Sequence, residues 1–156
     1  MLQAAFQAYA DSLLGRALKA ATWAFAITEI IHLLALAVLG GTVLFAGAAA
    51  LGFDARRRPA PGTIRGLRPL FRASLAVMLI SGVVLVGTNP MKYYFNDAFR
   101  VKMAVLLLAI GAFAWLSVRA RDAVEGQLPV DAKVAAGLSL GLWLGVGLGG
   151  RLIGLL

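Results

Sequence analysis

Few side chains in this sequence could do chemistry within its apolar stretches: Glu29 and His32, three residues apart, Lys102, and Arg72 and Arg151 near the ends of apolar runs. A charged group at the centre of a bilayer costs about 2.5–3.5 kcal/mol on insertion scales, so each needs a partner or a task. Glu29 and His32 fall on neighbouring positions of one helix face. His32 is the sole histidine, and a neutral imidazole serves both as an axial ligand to haem iron and as a proton carrier. Plainer readings stand beside these: a buried ring satisfied by Glu29 or by a helix carbonyl, and a Glu29 carboxylate ion-paired with Lys102 or Arg151.

Other chemistries find little support. Without cysteine there is no disulfide, thiolate metal site, iron–sulfur cluster or covalently attached c-type haem. Copper sites draw on several Cys, Met or His ligands, whereas here one His stands with Met78, Met91 and Met103 scattered. Ser74, Ser81, Ser117 and Ser139 lie in apolar runs with no paired base in view. The glycines follow no strand, which excludes a phosphate loop or dinucleotide fingerprint.

These groups must be positioned by membrane helices. Of 156 residues 61% are hydrophobic and 14% charged, against about 25% charged in soluble domains. The charges cluster between long apolar runs, so the chain reads as an all-α integral membrane four-helix bundle. Spans are expected at about 23–51, 70–88, 99–118 and 130–150, each long enough to cross a hydrocarbon layer of about 30 Å. Gly40 and Gly41 offer the first span a bend, and residues 52–69, with Arg56, Arg57, Arg58, Pro59, Pro61 and Gly62, read as a basic loop. Tyr93, Tyr94 and Phe95 suit an interfacial belt between the second and third spans.

Residues 1–20 carry Asp11, Arg16 and Lys19 and do not resemble a cleavable signal peptide. Leu2, Phe6, Tyr9, Leu13 and Ala17 recur at helical spacing, as in an amphipathic helix lying on the bilayer surface, ahead of a bundle domain at 21–156.

Four crossings put both termini on one side. Nine Lys and Arg (Arg56 to Arg58, Arg65, Arg68, Arg72, Arg119, Arg121, Lys133) face six (Arg16, Lys19, Lys92, Arg100, Lys102, Arg151) across the bilayer. The positive-inside rule then puts the termini outside. The net charge of +8 is thereby explained by topology; no isolated basic patch with interleaved aromatics points to nucleic acid. From Trp23, Glu29 and His32 lie roughly 9 and 13 Å deep at 1.5 Å per residue, in the outer half. Lys102 lies about one turn into the third span, and Arg100 and Arg151 border the same side. An acid, an imidazole and two or three cations are thus expected to converge there, while the inner half offers little beyond Arg72 and Ser81.

Gly137, Gly141, Gly145 and Gly149 repeat every four residues in the last span and form a groove open to close backbone approach. Contact with a neighbouring helix of the bundle, a homodimer and a partner subunit all fit it.

The run Glu29-Ile30-Ile31-His32-Leu33-Leu34-Ala35-Leu36 with Gly40-Gly41, then Phe99-Arg100-Val101-Lys102-Met103-Ala104, Leu142-Trp143-Leu144-Gly145 and Gly150-Arg151, resembles a bacterial membrane family of unknown function with four helices. A first-helix His followed by paired glycines and a Lys opening the third helix are more distantly similar to the copper-resistance D and oxygen-independent protoporphyrinogen oxidase membrane families. The latter resemblance implies haem-related roles for His32 and Lys102, and with one histidine two imidazoles from a single chain cannot share a haem.

Three functional readings follow. The first is a small b-type cytochrome-like subunit of the bacterial cytoplasmic membrane, with His32 as axial ligand. Arg100, Lys102 or Arg151 would then pair with propionates or supply the opposite ligand, beside Glu29, for electron transfer with a quinone or a redox protein. The second is a cofactor-free structural or assembly subunit packing through the glycine groove. The third, a proton pathway through Glu29 and His32, lacks the polar chain across the bilayer that it requires. Whether the protein is an enzyme is left open by the residues.

Overall fold

The computed structural model describes residues 2–53, 60–123 and 127–155, with side-chain surroundings for all of these except 2, 22 and 151–155. Among the described residues there are seven helices and no strand: α1 (Leu2–Asp11), α2 (Leu13–Ala20), α3 (Thr22–Leu51), α4 (Ala60–Thr88), α5 (Pro90–Phe95), α6 (Asp97–Asp122) and α7 (Val130–Leu155). α3, α4, α6 and α7 are each long and apolar enough to cross a membrane. The chain is an all-α, multi-pass membrane protein. We call the end of the bundle at which α3 and α6 begin and α4 and α7 finish the terminal end, and the other the arginine-rich end.

Local chemistry sets the helix boundaries. α3 runs unbroken through Gly40 and Gly41 and stops at Gly52, whose φ of 93° is the left-handed conformation glycine adopts without a Cβ penalty. Its N–H and that of Phe53 close onto the carbonyls of Ala49 and Ala48. The side chains of Asn89 and Asn96 accept from Lys92 N and Phe99 N and so start α5 and α6.

Two sequence expectations need correction. The segment before Leu70 is no loop throughout: α4 begins ten residues earlier, at Ala60, and carries Arg65, Arg68 and Arg72 on helical turns. Pro61 falls in the first turn, where a missing N–H costs nothing; Pro69 removes one donor, yet the helix continues through it. Arg56, Arg57, Arg58 and Pro59 lie outside the described residues. Residues 1–20 do not form one helix either. Ser12 ends α1, donating to Tyr9 O at 2.7 Å, and caps α2 by accepting from Gly15 N at 3.0 Å. The turn is tight enough that a Cβ on Gly15 would collide with the Tyr9 carbonyl.

In the bundle α3 lies between α4 and α7, and α6 packs chiefly on α7. The centre is aromatic: Phe71 and Phe113 stack with centroids 3.7 Å apart, and the Trp143 ring meets Phe71 edge-on at 6.0 Å. Leu39, Val43, Leu116 and Val146 fill the space around them. Across most of the rest of each helix, large apolar side chains such as Leu44, Ile80, Leu107 and Leu148 stay exposed, as lipid contact requires. Arg119 Nε pairs with Asp131 Oδ2 at 2.7 Å and ties α6 to α7 at the arginine-rich end.

α1 and α2 fold across the terminal end. Tyr9 donates its hydroxyl to the Val83 carbonyl of α4 at 3.2 Å, and its ring fills the notch left by Gly87. Phe6 packs on Tyr94 of α5 at 5.5 Å, and Arg100 stacks over the same ring at 5.4 Å.

Candidate functional site

His32 sits on α3 about ten residues below the helix start, turned towards α4. Its Nδ1 lies 2.9 Å from Ser81 Oγ, and Gly82 makes room for the ring: a Cβ there would stand 3.4 Å from His32 Cε1. Either ring tautomer satisfies this contact, because a hydroxyl can donate or accept. Ser81 Oγ also lies 2.7 Å from the Val77 carbonyl and 3.1 Å from that of Met78, either of which can take its one proton. Where that proton goes to the backbone, Ser81 Oγ accepts from His32 Nδ1, and the Nε2 lone pair is then the one left over. A metal-ligating imidazole has this arrangement, its far nitrogen held by a protein acceptor.

Lys102 opens α6 one turn in from the terminal end, the end from which His32 lies ten residues down α3. Its stem lies along α7, where Cβ atoms on Gly149 and Gly150 would stand 3.5 Å from Lys102 Cβ and 3.3 Å from Nζ. Among the described residues no carboxylate pairs with Lys102. A half-buried ammonium without a counterion favours an anion or a strong acceptor beside it.

Other members of the expected constellation stand apart. Glu29 is exposed and pairs with neither His32 nor Lys102 among the described residues. Burial raises the Tyr93 phenol above its ordinary pKa and the Glu29 charge adds to that. Arg100 is exposed and binds Asp97 at 3.2 Å. The Arg151 side chain lies outside the described residues. Ser81, assigned by sequence to the inner half, is the partner of His32 at the same level: it stands seven residues before the end of α4 at Thr88, about 10 Å at 1.5 Å per residue.

The glycine stripe of α7 divides. Gly145 faces Val105 at 3.4 Å and Gly149 faces Lys102, whereas Cβ atoms on Gly137 and Gly141 would meet nothing within 4 Å. Four-residue steps advance about 40° around a helix at 3.6 residues per turn, so the stripe winds from the outer surface into the α6 contact. Among the described residues there is no group of three or more His, Asp or Glu that could hold a bare metal ion.

A family model described as a family of unknown function (DUF6644) matches residues 6–156. The chain belongs to that family. No curated protein and no solved structure matches it. The DUF6644 match spans His32, Ser81, Gly82 and Lys102 together, so the site lies wholly within the part of the chain the family shares. Nothing in these comparisons adds to the likeness to the copper-resistance D and protoporphyrinogen oxidase families.

Proposed function

We propose that this protein is a small b-type cytochrome-like subunit of a bacterial cytoplasmic membrane, with both termini on the periplasmic side. His32 Nε2 is the axial ligand and the Lys102 ammonium partners a propionate. The observation that carries the reading is the His32 Nδ1 contact to Ser81 at 2.9 Å, beside a Val77 carbonyl that can take the Ser81 proton. With the Nδ1 proton donated to Ser81, the ring would offer one oriented nitrogen lone pair within a membrane helix bundle. A single imidazole suffices for haem, where a bare ion would need several ligands.

The haem supplies one-electron chemistry for exchange with a quinone or a redox protein. The protein's own part is to hold the Nδ1 proton on Ser81, to bring a cation beside the ring, and to keep lipid around the site. Glu29, exposed and anionic, would repel a propionate, and Arg100 is engaged by Asp97, so Lys102 is the better partner of the three. The test is the visible spectrum of protein purified from haem-sufficient cells: a Soret band that shifts on reduction and disappears in His32→Ala supports the assignment. A colourless wild-type preparation rejects it.

A second reading, a cofactor-free assembly subunit, has its own observation in Gly137 and Gly141, which leave a groove on the lipid-facing side of α7 open to another helix. That reading predicts colourless protein whose detergent-solution mass falls in Gly137→Leu and Gly141→Leu.

A further inference from the structure

Arg65, Arg68 and Arg72 occupy α4 at spacings of three and four. At about 100° per residue they share an arc of about 60°, and they rise about 4.5 and 10.5 Å along the axis. Of the buried residues of α4, Pro61 in the first turn shares this arc and Ile64 borders it, while Phe71, Ser74 and Met78 lie about 60° or more from it. Arg65 and Arg72 are exposed and Arg68 half-buried. Arg65 Nε donates to the Pro61 carbonyl at 3.2 Å, with the rest of its guanidinium left over. Among the described residues no carboxylate lies within ion-pair distance of any of the three.

The same face continues into apolar surface. Leu79, Ile80 and Val83 follow above the arginines, 41%, 67% and 61% exposed. From Arg72 to Val83 is about 16 Å at 1.5 Å per residue, close to half of a hydrocarbon layer of about 30 Å. Cationic groups that form bidentate bonds with phosphate thus sit at one end of a stripe as long as one leaflet's acyl chains.

We propose that this face of α4 is a binding site for an anionic phospholipid, its phosphate held by Arg65, Arg68 and Arg72 and its chains lying along Leu79, Ile80 and Val83. A zwitterionic headgroup offers the same phosphate with a cation attached, which three guanidinium groups repel; an anionic headgroup is therefore preferred. The site is independent of haem.

The test uses the full chain reconstituted in vesicles of equal parts phosphatidylcholine and phosphatidylglycerol, then re-extracted in mild detergent, with the retained lipids counted by mass spectrometry. Wild type is expected to retain phosphatidylglycerol several-fold over phosphatidylcholine. The preference disappears in the triple variant Arg65→Gln/Arg68→Gln/Arg72→Gln and persists in Arg121→Gln, an exposed arginine at the same end. Where the triple variant does not accumulate, the single variants Arg65→Gln and Arg72→Gln decide, each lowering the ratio by up to about 5-fold. Equal retention of both lipids by wild type, or a preference that survives the arginine replacements, overturns the proposal.

Discussion

Replacing Ser81 with alanine removes the acceptor that holds the His32 Nδ1 proton and little else, because alanine suits a helix and leaves the Val77 and Met78 carbonyls in their backbone ladder. Side-chain hydrogen bonds between membrane helices average about 0.6 kcal/mol and reach about 1.7. At about 1.4 kcal/mol per tenfold, losing one weakens haem binding by about 3- to 16-fold. Losses of about 10- to 100-fold, found when a metal ligand's supporting partner is removed, set the upper end, since a released ring can also take the other tautomer. The assay is titration of the purified haem-free protein with haemin, followed in the Soret region, for wild type, Ser81→Ala and Ser81→Thr. Threonine keeps the hydroxyl and is expected to restore most of the affinity. An alanine variant that binds as tightly as wild type, or a threonine variant as weak as alanine, refutes the assignment of the tautomer to Ser81.

Further outcomes follow from packing and charge. In Gly47→Ala the new Cβ would stand 2.7 Å from Leu140 Cδ1 and 2.8 Å from its Cγ, so the α3–α7 contact is expected to lose about 1–3 kcal/mol, read as a lower unfolding midpoint in detergent. Gly141→Leu points into open surface and is expected to leave unfolding unchanged, while Gly145→Leu, against Val105 at 3.4 Å, lowers the midpoint; equal effects would contradict the winding of the stripe. Burial raises the Tyr9 phenol above its ordinary pKa. Its contribution is therefore fully present below the unfolded value near pH 10 and is lost as pH rises through the higher folded value. Alkaline titration is expected to loosen α1 and α2 from α4, seen as a change in Trp23 fluorescence that starts at lower pH for wild type than for Tyr9→Phe.

The four crossings were legible because lipid imposes a coarse requirement: about twenty apolar residues between charged clusters, which the spans ending at Leu51, Thr88, Asp122 and Gly150 meet. Less legible was the start of α4, since Pro61 and Pro69 read as breakers although the first turn tolerates one and the helix runs through the other. The split at Ser12 depends on a local cap that competes with an otherwise continuous helical period. In the site, His32 and Lys102 were visible as costly groups in apolar runs. Ser81 was not, because a serine in a membrane helix satisfies itself on its own backbone and gives no signal of a partner 49 residues away. Counting back from Thr88 as well as forward from Trp23 would have set the two at one depth. Glu29 was misjudged for a related reason: three residues from His32 still means about 60° around the helix, enough to leave it exposed while the ring faces α4.

Because His32 is the sole histidine, histidine labelled with nitrogen-15 gives one pair of ring signals in haem-free protein, and magnetic resonance reads the tautomer directly. The haem reading predicts a proton on Nδ1 and an unprotonated Nε2, with the pattern disturbed in Ser81→Ala. A proton found on Nε2 instead would contradict the account, because the nitrogen offered to iron would then carry no lone pair.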